Sequence, residues 1–206
     1  MSSSVSIERR NLMKAFGADV ILTSADLGTD GAIMKVREMM VKEPEKYFNP
    51  NQFSNENNKL AHQKTADEIW KQTNGKVTHF VASHGTSGTL MGVGKVLKQC
   101  NPNIRIIEAQ PEEGHKIQGL KNMNKAIVPK IYDPKMVDEH IIIHTEDAYK
   151  VARRLLKEES LFIGMSSGAA MKAVLDILPT LPKDSVVVVV FPDRGEKYLS
   201  TKLYEI

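Results

Sequence analysis

Three short loops carry the residues best suited to chemistry. The first is Ser83-His84-Gly85-Thr86-Ser87-Gly88-Thr89, which follows an apolar run and precedes a helical pattern. Gly85 and Gly88 allow close approach of the backbone to a ligand, and Thr86, Ser87 and Thr89 offer hydroxyls. The unpaired N–H groups that open a helix favour an anion, so a phosphate suits this set. No Lys follows the second glycine, which excludes a nucleoside-triphosphate P-loop, and the G-x-G-x-x-G spacing of a dinucleotide fold is absent. A tight strand-to-helix turn of small residues has the same composition, and the pattern alone leaves both readings open. The second loop is Gly164-Met165-Ser166-Ser167-Gly168, where either serine is also suited to cap a helix. It superficially resembles a nucleophile elbow, but no histidine lies beyond His144, so a hydrolase triad has no support. In the third, Phe191-Pro192-Asp193-Arg194-Gly195, Asp193 and Arg194 either reach a ligand crevice or pair with each other as a charged cap.

Other chemistries find little footing. The six histidines show no ligand spacing such as H-E-x-x-H, and one cysteine, Cys100, makes neither a disulfide nor a Cys-based zinc site. No metal site is expected. His79 lies inside an apolar run and reads as structural, and the methionines fit helix faces.

Elements of alternating type must hold these loops. Helical spacing covers Ile7 to Phe16, with Gly17 as its stop, then Asp30 to Lys42, ended by Pro44, and Leu60 to Thr73. A further helix runs to about Gln99, and others cover Glu146 to Glu158 and Gly168 to Leu178. Apolar runs at Asp19–Thr23, Val77–Ala82, Ile104–Ala109, Ile141–Ile143 and Val186–Phe191 read as strands. Continuous apolar strands alternating with amphipathic helices predict an α/β fold, a parallel sheet covered on both faces. Such sheets bind ligands at the carboxyl ends of their strands, where all three loops fall. The segment Pro111 to Glu139 is long and aperiodic, a length that often borders a site.

The composition narrows the class. The 206 residues are 41% hydrophobic and 26% charged, with a net charge of +3. These are globular values, and the charge is too mild for a nucleic-acid protein. No apolar run reaches the ~18–20 residues of a membrane helix. The opening residues Met1 to Arg10 hold no apolar core, so no secretory leader is expected; with the lone cysteine this predicts a cytoplasmic setting.

Taken in order, the motifs resemble the cysteine synthase and cystathionine β-synthase family of pyridoxal-phosphate enzymes. The resemblance spans the whole chain. Ser6-Ile7-Glu8-Arg9-Arg10 with Lys14-Ala15-Phe16-Gly17-Ala18 resembles the family's mid-chain helix. Asn51-Gln52-Phe53 with Asn55, Asn58 and His62 resembles its Asn-rich crossover. Ser83–Thr89, Gln110-Pro111-Glu112-Glu113-Gly114, Gly164–Gly168 and Asp193-Arg194-Gly195-Glu196-Lys197-Tyr198-Leu199-Ser200-Thr201 complete the set. The serine inside the phosphate loop and the Tyr-Leu-Ser-Thr tail look closer to the B-type cysteine synthases.

The resemblance implies the pyridoxal-phosphate fold type II, with pyridoxal 5'-phosphate as cofactor. Gly85, Thr86, Ser87, Gly88 and Thr89 would hold its phosphate, Ser166 its pyridine nitrogen, and Gln52 the substrate carboxylate. The implied reaction is β-replacement, in which O-acetylserine or another activated serine reacts with sulfide or another thiol to give cysteine. A homodimer is implied, and no nucleic-acid or membrane partner. The family carries its Schiff-base lysine in a Ser-x-Lys-Asp-Arg-like segment and grips substrate with a Thr/Ser-Gly-Asn-Thr loop, and neither motif occurs here. No lysine of this chain matches that role, so no catalytic residue is assigned. The match starts in the family's middle, which predicts a chain without the family's first third and inactive alone. Residues 1–55 are expected to be part of a smaller domain and 56–206 the phosphate-binding domain. Two alternatives stand beside this reading: a short non-catalytic paralogue that binds a phosphorylated ligand or a protein, and a cystathionine β-synthase-like activity.

Overall fold

The computed structural model describes residues 1–205. Contacts divide them into two compact units, one formed by Met1–Asn51 with the segment that begins at Gly195, the other by Gln52–Arg194. The sequence reading places its boundary after residue 55.

In the first unit, α1 (Ile7–Ala15) is followed by Gly17 at φ +81°, the left-handed geometry of a helix stop. The second helix, α2, spans Gly28–Lys42. The strand expected at Asp19–Thr23 is not formed. Only Thr23 bridges, to Ser2, with Ser3 N–H donating to Thr23 C=O at 2.8 Å and Thr23 N–H to Met1 C=O at 3.0 Å. One bridge does not make a ladder. Polar contacts tie α1 to the chain's end. Ser6 Oγ donates to Lys197 C=O at 2.6 Å, the Glu8 carboxylate accepts Ser200 N–H and Oγ–H at 2.7 Å each, and Arg9 lies 5.0 Å over the buried Tyr198 ring.

The second unit is a parallel four-stranded sheet in the order β3-β2-β1-β4, made of β1 (His79–Ser83), β2 (Arg105–Pro111), β3 (Glu139–Ile143) and β4 (Val187–Val189). In register, Ala82 faces Glu108, Glu108 faces His140, and Phe80 faces Val188. Side chains alternate across a strand, so Phe80, Ala82, Ile104 and Ile106 share one face. They pack there on Leu90, Met91, Val93 and Leu97 of α5 (Gly88–Cys100) and on Ala66 and Ile69 of α4 (Gln63–Gln72). Val81, Ile107 and Ala109 point the other way, where α7 (Met165–Ile177) covers the sheet and packs against α6 (Thr145–Glu159). Removing one large core side chain such as Phe80 would cost about 3–5 kcal/mol.

Two expectations change in this unit. The helix predicted over Leu60–Thr73 is two helices, α3 (Asn57–Ala61) and α4, because His62 sits at φ −88°, ψ −1° and its N–H bonds back to Lys59 C=O at 3.0 Å. The valine run Val186–Val190, expected to be fully buried, is half-exposed, because β4 is an edge strand that pairs with β1 alone. Among the described residues no helix is long and apolar enough to cross a membrane.

Candidate functional site

The strand order sets where a site belongs. Leaving β1, the chain passes to β2 and β3 on one side, while β4 lies on the other. The winding reverses at β1, and a crevice opens at such a switch point beyond the strands' carboxyl ends. All three loops singled out above lie at that end of the sheet.

The loop after β1 enters α5 through Ser87, the helix N-cap, which adopts φ +69°, ψ 0°. A left-handed conformation costs a non-glycine residue roughly 1–2 kcal/mol, so the surrounding structure must enforce it. Gly85 and Gly88 show how. A Cβ on Gly85 would stand 2.3 Å from Gly119 C=O, and one on Gly88 would stand 1.9 Å from Asn58 Oδ1. Asn58 is itself fixed, since its Nδ2 donates to Gln52 C=O at 2.7 Å and to Thr86 Oγ1 at 3.1 Å. Gly88 N–H donates to Thr86 Oγ1 at 3.3 Å, and Thr89 Oγ1 lies 3.2 Å from His62 Nε2. Burial pushes the His62 imidazole below its ordinary range and favours its neutral form.

The other loops converge on the same crevice. Ser83 Oγ donates to Ser166 C=O at 3.1 Å. Ser166 is buried in the first turn of α7, whose N-cap is Gly164, so neither Ser166 nor Ser167 serves as the cap. Gly164 N–H donates to Asp193 C=O at 3.0 Å, and Ile163 bridges Arg194. Gln52 is exposed and joins the loop through its backbone carbonyl and Asn58. Gly85, Thr86, Ser87, Gly88 and Thr89 form one turn, Ser166 lies one hydrogen bond from its root, and Gln52 one residue from Thr86 through Asn58. The aperiodic segment closes over them: Lys121 N–H donates to His84 C=O at 3.2 Å, and the buried Lys121 ammonium lies 5.2 Å over the Phe53 ring.

The fit of a phosphate can be tested on the loop's own atoms. Ser87 Oγ is buried and has no hydrogen-bond partner, although the hydroxyls of Thr86 and Thr89 on either side are engaged. A buried hydroxyl without a partner calls for a ligand or water. With helix amides beside it and glycines that bring the backbone close, the loop fits a phosphate group.

Sequence reasoning gave no role to His84 and missed three residues around it at the root of this loop, Glu108, Tyr132 and His140. The available signal was Glu108, a charge inside an otherwise apolar strand. Its fully buried carboxylate accepts from His84 Nε2, from Tyr132 OH at 2.7 Å and from His140 Nδ1 at 2.5 Å. Among the described residues no group of His, Cys, Asp or Glu is placed to hold a metal ion.

Known proteins share this fold. Residues 1–193 match the model of the family described as pyridoxal-phosphate dependent enzyme. The cysteine synthase of Aquifex aeolicus is 49% identical over 209 residues, which cover 99% of this chain and 64% of that protein. Cysteine synthase B of Pseudomonas aeruginosa is 40% identical and covers all of this chain and 68% of its own length. A crystal structure of cysteine synthase (OASS) from Entamoeba histolytica superimposes with a TM-score of 0.87 at 43% identity, over 100% of this chain and 63% of that one. The chain thus spans about two thirds of the length of the relatives it matches. On its family match and its fold, the chain belongs to the pyridoxal-phosphate dependent enzymes.

Proposed function

We propose that this chain provides the cofactor-phosphate and ring-nitrogen side of a cysteine synthase site, acting in the β-replacement of an activated serine such as O-acetylserine by sulfide or another thiol. The observation that carries the reading is the Gly85–Thr89 turn, with its buried unpartnered Ser87 hydroxyl at the head of α5. The cysteine synthases that match over nearly the whole chain support the reaction class.

Bound pyridoxal phosphate supplies an electron sink for breaking and making bonds at the substrate's β-carbon. The chain's own residues bind and orient it. The amides and hydroxyls of Gly85, Thr86, Ser87, Gly88 and Thr89 hold the phosphate. Ser166 presents a neutral hydroxyl to the pyridine nitrogen, which leaves the ring a moderate sink suited to elimination and replacement. Gln52 meets the substrate carboxylate. Asn58 and His62 stand behind the loop and fix the two threonines. Lysine chemistry is not assigned to any residue here, so cofactor binding is expected to outlast catalysis in this chain alone. A cytoplasmic setting and a homodimer belong to the same reading, the latter checked by light scattering.

The test adds pyridoxal phosphate, and separately inorganic phosphate, to the 206-residue chain and follows binding by calorimetry. Binding that weakens in Ser87→Gly is expected, without a visible band that borohydride fixes to a lysine. No binding of either probe would refute the phosphate reading. A borohydride-fixed band with sulfide-dependent cysteine formation would refute the assignment of no lysine.

A further inference from the structure

The sheet ends differently on its two sides. On one edge, β3 opens with Glu139 and His140, and Glu139 pairs with Arg105 of β2 at 2.9 Å. Charged side chains of this kind guard an edge against further strands. On the other edge, β4 lies in the run Val186-Val187-Val188-Val189-Val190-Phe191, which holds no charge, no proline and no glycine. All six residues are half-exposed. Such a run suits an interior strand of a parallel sheet, and an open edge made of it is a template for pairing.

The backbone shows which groups are open. Val186 C=O accepts from His79 N–H at 3.2 Å, and Val190 N–H donates to Val81 C=O at 3.2 Å. These groups alternate in direction along a strand, so Val186, Val188 and Val190 turn theirs to β1. Val187 and Val189 turn their N–H and C=O to the open side, where no strand lies among the described residues. The covering layers are already in place. Val188 and Val190 pack on the cluster built by α4 and α5, and α7 touches β4 from the other face.

Length identifies the occupant. The Aquifex aeolicus and Entamoeba histolytica proteins match 99% and 100% of this chain, yet about a third of each lies outside the match. Those longer chains share the fold that presents this edge, and the unguarded side of the sheet is where it can be extended.

We propose that the β4 edge is a docking site for a β-strand from the third of a cysteine synthase that this chain does not span, and that the strand pairs with Val187 and Val189 when that third is supplied as a separate polypeptide. The proposal rests on the fold and on the length of the relatives, so it stands or falls independently of the phosphate reading.

The probe is the part of the Aquifex aeolicus cysteine synthase outside its 209-residue match, co-expressed with the 206-residue chain. Co-purification and calorimetry measure association, and NMR follows amide exchange residue by residue. In the chain alone, the Val188 and Val190 amides are expected to be protected and those of Val187 and Val189 to exchange freely. In the complex, the latter two slow by at least about tenfold. Val189→Pro removes an N–H that points away from β1, so the chain keeps its protected Val188 amide while its affinity for the added polypeptide falls at least about tenfold. No association, association that leaves Val187 and Val189 exchanging as before, or equal affinity in Val189→Pro overturns the proposal. Self-association of the chain alone that already protects those two amides also overturns it, because the occupant is then a second copy. If the added polypeptide is insoluble, a single chain that joins it to these residues in the relative's order decides, and open amides at Val187 and Val189 there overturn the proposal. If Val189→Pro does not fold, the parent's amide pattern decides.

Discussion

Replacing Gly88 by alanine tests how the loop is held. The new Cβ would stand 1.9 Å from Asn58 Oδ1, 2.6 Å from its Cγ and 3.1 Å from its Nδ2, so the Asn58 side chain must move. It is not free to do so. Its amide supports Gln52 C=O and Thr86 Oγ1, each bond worth about 0.5–1.5 kcal/mol net, so turning it away costs about 1–3 kcal/mol. Against this, alanine in a helix gains up to about 1 kcal/mol over glycine. Gly88→Ala in the parent chain should therefore destabilise by up to about 3 kcal/mol. In an Asn58→Ala background, where those three atoms are gone, the same change should be neutral or stabilising by up to about 1 kcal/mol. Urea unfolding of the parent, both single variants and the double variant closes the cycle. An equal cost for Gly88→Ala in both backgrounds would show that Asn58 does not set the loop, and the account of its geometry would fall.

Other perturbations have equally definite outcomes. Gly168→Ala would put a Cβ 2.2 Å from Ala148 C=O, a backbone atom that cannot swing aside, so α6 and α7 must part at a cost of about 1–3 kcal/mol, read from the urea midpoint. Ser87→Gly relieves the φ of +69° and should leave stability equal or higher by up to about 1 kcal/mol, while phosphate affinity falls roughly three- to tenfold with the lost hydroxyl. His144 and Glu112 form a pH-bounded contact. The Glu112 hydrogen bond, then its charge, raises His144 above 6.5, so that contribution is complete below pH 6.5 and fades as the pH climbs past the raised value. The Thr145 amide, then His144, lowers Glu112 below 4.5, so its contribution is present above pH 4.5 and fades in acid. His144→Ala should therefore lower the melting temperature more at pH 5.5 than at pH 9, and an equal loss at both would disprove the pairing.

Much of the second unit can be read from residue order alone. Val77–Ala82 and Ile104–Ala109 are apolar in a way only a doubly covered strand needs, and they are the central strands β1 and β2. The loops at their carboxyl ends follow from that topology. What escaped are features set by distant partners. Val186–Val190 is as apolar as a central strand, but its place at the edge depends on which strands lie beyond it. The helix break at His62 carries no glycine or proline; its imidazole is held by Thr89, 27 residues later. Glu108 looked like one polar residue in a strand, and its partners arrive from His84, Tyr132 and His140, which only the sheet register and the covering segment bring together. Asp19–Thr23 failed for the opposite reason: a suitable composition with only Ser2 to pair with.

The unequal ladders on the two sides of β1 give the crevice a direction. Five residue pairs join β1 to β2, but only three join β1 to β4. Segments with fewer backbone rungs and more exposed ones open first. Breathing of the sheet therefore begins at β4 and loosens the Asp193 wall, while the wall that carries Ser83 to Thr89 stays closed. In amide exchange, Val187–Val189 should trade hydrogen for deuterium well before Phe80–Ala82. A loosened valine edge would leave the Ser83–Thr89 turn in place, because that turn hangs from the longer ladder.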